Sequence, residues 1–126
     1  MSDSLERLYL AVVAAKSADP AKSRTAKLLR AGRAKMAKKL AEEAVEVVID
    51  AMHGNRDAVV RESADLIYNL VVLWVSAGIA PKEVWKEMER RERLMGIAEK
   101  VPKDMQDMDP RRKVVALETR RVRKRR

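Results

Sequence analysis

Apolar residues recur along this chain at the three-to-four spacing of helices, and short groups of turn-forming residues interrupt them. Ser2 to Ser17 reads as a short amphipathic helix with Leu5, Leu8, Tyr9, Val12 and Val13 on one face, and Asp19-Pro20 breaks it. Ser23 is placed to cap a long second helix from about Arg24 to Met52, which His53-Gly54-Asn55 ends. A third helix runs from about Asp57 to Ala77 and stops at Gly78. Pro81 opens a fourth as a first-turn proline, and that helix continues to about Met95 before Gly96. The expectation is an all-α protein, an antiparallel bundle of four main helices joined by short loops. The third helix is apolar from Leu66 to Val75 except at Asn69. A helix apolar on nearly every side calls for burial on nearly every side, so dimerisation is expected to complete the bundle.

Composition narrows the chemistry. The 126 residues are the length of one domain and include no cysteine, which excludes a disulfide scaffold, a thiolate zinc site and a cysteine nucleophile. A single histidine, His53, excludes a multi-histidine metal site, and its place beside Gly54 suits a helix C-terminus better than catalysis. Trp74 and Trp85 are expected in the core or at a subunit interface. No apolar run reaches the ~18 residues of a membrane span, and the first residues lack a signal-peptide layout. A cytoplasmic protein is expected.

The net charge of +9 is concentrated at one end. Residues 1–110 hold 19 basic and 18 acidic residues, whereas residues 111–126 hold 9 basic residues and a single Glu. The expected organisation is therefore a helical domain over 1–100, a polar linker over 101–110 and a basic C-terminal tail over 111–126. The tail could bind nucleic acid or an acidic partner, but it carries no aromatic residue to stack on bases.

The near-neutral part carries the more specific signal. On a wheel of ~100° per residue, Glu42, Glu43, Glu46 and Asp50 form one narrow stripe of the second helix together with Lys35 and Lys39, and apolar residues fill the rest. On the third helix Glu62, Asp65 and Asn69 share one narrow face bordered by Leu66, Val72 and Leu73. Carboxylates beside apolar surface are costly unless paired. Two partners fit, the local lysines (Lys35, Lys38, Lys39) or a divalent cation. Carboxylate oxygens without His or Cys make a hard site suited to Mg²⁺, with Mn²⁺ as a substitute.

Glu43-Ala-Val-Glu46 followed by Glu62-Ser-Ala-Asp65 resembles the E-x-x-E…E-x-x-D signature of the all-α, MazG-like nucleotide pyrophosphohydrolases. The flanking residues are more specific. Ser23-Arg-Thr-Ala-Lys-Leu-Leu, Gly32, the segment from Lys38 to Ile49, the segment from Glu62 to Leu73 and Glu87-Met-Glu-Arg-Arg together resemble the phosphoribosyl-ATP pyrophosphatases of histidine biosynthesis. The resemblance implies Mg²⁺-dependent hydrolysis of the α–β phosphoanhydride of phosphoribosyl-ATP to phosphoribosyl-AMP and pyrophosphate. It implies Glu42, Glu43, Glu46, Glu62 and Asp65 as metal-binding acids. Glu43 or Glu46 is expected to take the proton of the attacking water. Lys35, Lys38 and Lys39 are candidates for substrate phosphate contacts, and Ser23, Thr25 and Asn69 for other substrate contacts.

Three positions depart from the family's usual pattern: Asn69 in place of His, Ala41 in place of Gly, and Asp50 in place of a small apolar residue. Two further readings therefore accompany the first. One is a MazG-like paralogue acting on another nucleoside triphosphate, ordinary or modified. The other is a non-catalytic helical module that binds through its basic tail.

Overall fold

The structure is a computed structural model that describes residues 4–95. The linker and tail expected at 101–110 and 111–126 lie outside these residues. The described residues form helices and no strand, as the apolar spacing predicts: α1 (Ser4–Ala15), α2 (Arg24–Ala31), α3 (Arg33–Met52), α4 (Arg56–Ala77) and α5 (Pro81–Met95). The expected four-helix count is corrected to five because the long second helix divides at Gly32. Gly32 adopts φ 101° and ψ 163°, a backbone conformation open almost only to glycine. A helix cannot pass through it, so α2 and α3 take different directions.

The remaining boundaries follow local chemistry. Ser23 Oγ accepts the Ala26 N–H at 3.1 Å and caps α2. His53 is the C-cap of α3 and donates its backbone N–H to Ile49. Gly54 follows with φ 70°, and Asn55 Oδ1 caps α4 by accepting the Ala58 N–H at 3.2 Å. Gly78, left-handed at φ 76°, closes α4 with Ile79 N–H donating to Trp74 O at 2.8 Å. At the start of α5, Glu83 Oε2 accepts the Ala80 N–H at 2.8 Å.

The chain divides into two compact units after Trp85, within α5. The first holds the core: Val12 from α1, Leu28 from α2, Met36 from α3, and Val71, Val72 and Val75 from α4. Leu5, Leu8, Tyr9, Leu29, Tyr68, Leu73 and Trp74 pack around it. Trp74 and Trp85 meet edge to face, with ring centroids 6.3 Å apart. In the second unit, Glu87 accepts hydrogen bonds from Arg90 and Arg91 of its own helix.

Helix α4 supplies half of that core, as its apolar run requires. Helix α3 behaves otherwise. Met36 is its one buried residue. Val45, Val48, Ile49 and Met52 are 55%, 60%, 48% and 81% exposed, and they form a stripe at helical spacing. Helix α3 thus carries more exposed large apolar residues than any other described helix, with Val60 and Ile67 exposed on α4. It was α4 that the sequence pattern marked as needing a partner.

A Cβ added at Gly32 would meet no atom within 4 Å. Gly32→Ala therefore tests the backbone alone. It should lower unfolding free energy by about 1–3 kcal/mol in urea denaturation. A loss below about 0.3 kcal/mol would mean that the break does not depend on glycine.

Candidate active site between α3 and α4

Both acidic pairs of the signature are symmetric about one residue. Glu43 lies eleven residues before Gly54 and Asp65 eleven after it; Glu46 lies eight before and Glu62 eight after. Helices α3 and α4 make the most extensive helix–helix contact of the fold. Folding the chain back at Gly54 therefore sets equal distances from the turn opposite one another. The i, i+3 spacing within each helix keeps both acids on one face.

The result is a crowded set of carboxyl groups. One carboxylate oxygen each of Glu43, Glu62 and Asp65 lies within 4.8 Å of the others. Hydrogen bonding of the protonated form to Glu46 and Glu43, with partial desolvation and the neighbouring negative charges, raises the Glu62 pKa from 4.5 to about 7. Burial raises the Glu43 pKa, and Glu46 and Asp65 push it further, while a hydrogen bond from Glu62 opposes them. Glu43 Oε2 is buried without a hydrogen-bond partner.

The lysines do not relieve this charge. Among the described residues, Lys35, Lys38 and Lys39 form no ion pair with the acids. The described ion pairs lie elsewhere, at Arg56–Asp57 and around Glu87. At Glu87, hydrogen bonds from Arg90 and Arg91 hold the pKa down to about 2.

A cleft of about 440 Å³ opens beside the acids, lined by Arg24, Thr25, Lys39, Glu43, Asp65, Tyr68 and Asn69. Thr25 Oγ1 and Tyr68 Oη are 2.6 Å apart and tie α2 to α4 across it. Asn69 is only 4% exposed and donates Nδ2–H to the Asp65 carbonyl at 2.8 Å, while its Oδ1 has no partner. A buried acceptor left unpaired costs about 1–3 kcal/mol.

The residues singled out from the sequence thus separate into groups. Glu43, Glu46, Glu62 and Asp65 come together, and Lys39, Thr25 and Asn69 join them at the cleft. Glu42 is exposed and falls outside the close acidic cluster. Lys35 and Lys38 are exposed and do not line the cleft. Ser23 caps α2 and lines a neighbouring hollow with Lys22, Arg24 and Lys27. Arg24 and Tyr68 were not among the candidates, although both line the cleft. Arg24 stands between Ser23 and Thr25, and Tyr68 directly precedes Asn69, so the motif residues on either side were the available signal.

Glu62 gives the metal-free protein a pH signature. Its folded-state pKa lies above its ordinary value of 4.5, so protonation favours the fold. That contribution is complete below about pH 4.5 and is lost as pH rises through about 7. In chelator, the thermal midpoint of wild type should therefore fall between pH 6 and 8.5 more than that of Glu62→Gln. Parallel midpoint-versus-pH curves would contradict the raised Glu62 pKa.

Residues 5–92 match the profile of the family described as "Phosphoribosyl-ATP pyrophosphohydrolase". "Phosphoribosyl-ATP pyrophosphatase 2" of Bradyrhizobium diazoefficiens is 63% identical over 133 aligned positions, covering 99% of each chain. The protein of the same name from Rhodopseudomonas palustris is 63% identical over the whole of both chains. "Phosphoribosyl-ATP pyrophosphatase" of Azospirillum brasilense is 54% identical over 96 residues, which is 76% of this chain and 86% of that one. Five helices, an acid cluster between facing stretches of α3 and α4 and a family match across nearly all described residues lead to one assignment: the chain belongs to the phosphoribosyl-ATP pyrophosphohydrolase family of enzymes.

Proposed function

We propose that the chain hydrolyses the α–β phosphoanhydride of phosphoribosyl-ATP, giving phosphoribosyl-AMP and pyrophosphate, at the second step of histidine biosynthesis. One observation carries the reading: the carboxylates of Glu43, Glu62 and Asp65 converge within 4.8 Å, beside a cleft, and among the described residues no cationic side chain pairs with them. The names of relatives that match the full chain at 63% identity support the substrate.

The donor set fits a divalent cation. Several carboxylate oxygens, one of them a buried Glu43 oxygen without a partner, form a hard-oxygen site with unmatched negative charge. Glu43, Glu46, Glu62 and Asp65 would hold Mg²⁺; Glu42 stands outside this group. Bound Mg²⁺ offsets triphosphate charge and makes a coordinated water more acidic. Lys39 and Arg24 face the same cleft and attract the phosphate oxygens. Glu46 is the exposed member of the first acidic pair, so it is the better placed of Glu43 and Glu46 to accept the water's proton. The water oxygen bonds to one phosphorus of the α–β anhydride, that phosphorus's bond to the bridging oxygen breaks, and the departing product keeps the bridging oxygen with its electron pair.

The second element of the proposal is a homodimer. The α3 stripe of Val45, Val48, Ile49 and Met52 is continuous apolar surface of the kind subunit interfaces bury. A cytoplasmic location accords with the pathway. Among the described residues, no single helix is long and apolar enough to cross a membrane.

Two measurements check these readings. Glu46→Gln and Asp65→Asn should each lower Mg²⁺-dependent pyrophosphate release from phosphoribosyl-ATP by at least about 100-fold, with the helical circular dichroism unchanged. Near wild-type turnover by either variant would refute the assigned site, and preference for another triphosphate would refute the substrate. Light scattering should give twice the chain mass of 14.3 kDa, and Val48→Asp should shift it toward one chain. A wild-type monomer at micromolar concentration would refute the dimer.

A further inference from the structure

Asn69 is the one buried polar side chain of the described core. Its amide has a fixed sense. The Asp65 carbonyl can only accept, so the atom facing it at 2.8 Å must be the NH₂ donor. Turning the amide over would set two acceptors against each other. The group left over is therefore Oδ1, a buried acceptor with no partner, on a residue that lines the cleft.

An acceptor at this point is selective. Phosphate oxygens at neutral pH are acceptors too, so Asn69 Oδ1 repels the part of the substrate that Lys39 and Arg24 attract. The cleft is lined by the cationic Lys39 and Arg24, by Glu43 and Asp65 of the acid cluster, and by Asn69. A ligand whose phosphates are held by the cations satisfies the Asn69 acceptor only with an O–H or N–H group. A nucleotide carries such groups on its nucleoside part, as ribose hydroxyls and as the exocyclic nitrogen of adenine.

We infer that Asn69 is a specificity-determining substrate contact, whose Oδ1 accepts a hydrogen bond from an O–H or N–H donor on the nucleoside part of the substrate. This deepens the functional reading above and rests on it. A site built around a buried hydrogen bond rejects analogues that lack the donor more strongly than an apolar pocket does, because the protein acceptor is then left unpaired.

The test compares phosphoribosyl-ATP with its 2′-deoxy, 3′-deoxy and inosine counterparts on wild type, Asn69→Leu and Asn69→Ala. Pyrophosphate release with Mg²⁺ is read as kcat/KM. Calorimetric binding of the corresponding monophosphate products supplies the same ratios for any variant too slow to assay. On wild type, one analogue should fall about 10–100-fold below the parent, and that penalty should shrink to less than about 3-fold in both variants. A penalty confined to a deoxy form identifies a ribose hydroxyl as the donor, and one confined to the inosine form identifies the exocyclic nitrogen. A role for Asn69 in folding alone would slow all four substrates equally and leave the ratios unchanged. The inference is overturned if no analogue is penalised on wild type, or if the penalty persists in the variants. If wild type turns over phosphoribosyl-ATP in either case, the functional reading survives. If wild type turns over none of the four, both fall.

Discussion

Repulsion among the carboxyl groups of Glu43, Glu46, Glu62 and Asp65 is the constraint on which this site depends. Four acids on two facing helices resist full ionisation without a compensating charge, and among the described residues no side-chain cation pairs with them. The raised pKa of Glu62 is the visible consequence. A proton answers part of the repulsion. A divalent cation answers more of it, because it brings two positive charges to oxygens that are already convergent. The same crowding that destabilises the unliganded fold thus favours cation binding, and the folded scaffold bears the cost of assembly in advance.

What holds the acids together is apolar. Val71, Val72 and Val75 fix α4 in the core, Val12 covers them from α1, and Met36 anchors the start of α3. The acids of α3 lie beyond Met36, toward the turn at Gly54, where their own helix buries nothing further. The exposed stripe from Val45 to Met52 runs through the same turns as Glu43 and Glu46. A second subunit covering that stripe would therefore brace the backbone that carries half of the acids. Dimerisation and catalysis are coupled in this account by shared helical turns.

Much of this was legible in the sequence because helical period is a strong signal. The cap at Ser23 and the stops at Gly54 and Gly78 use local chemistry, and helix limits read from them agree with the fold to within a residue or two. The four clustered acids are among the five that the resemblance to the E-x-x-E…E-x-x-D signature implied. The break at Gly32 was not legible, because one glycine inside a helical pattern is ordinarily tolerated, and only the backbone torsions reveal a conformation that ends a helix. Glu42 illustrates a second limit. A wheel places it beside Glu46, but a wheel does not say which part of a stripe faces the neighbouring helix. Lys35, Lys38 and Lys39 looked alike for the same reason, and only Lys39 reaches the cleft. Arg24 was signalled only by its motif neighbours Ser23 and Thr25, and its place in one cleft with Glu43 and Asp65 arises from the packing of α2.

The central claim is that the acids on either side of Gly54 share one divalent cation. The most direct measurement is anomalous X-ray scattering from a crystal equilibrated with Mn²⁺. The account predicts a manganese peak enclosed by the carboxylates of Glu43, Glu46, Glu62 and Asp65. A peak bound instead by Glu42 or Asp50, or no peak at this cluster at saturating Mn²⁺, would contradict it.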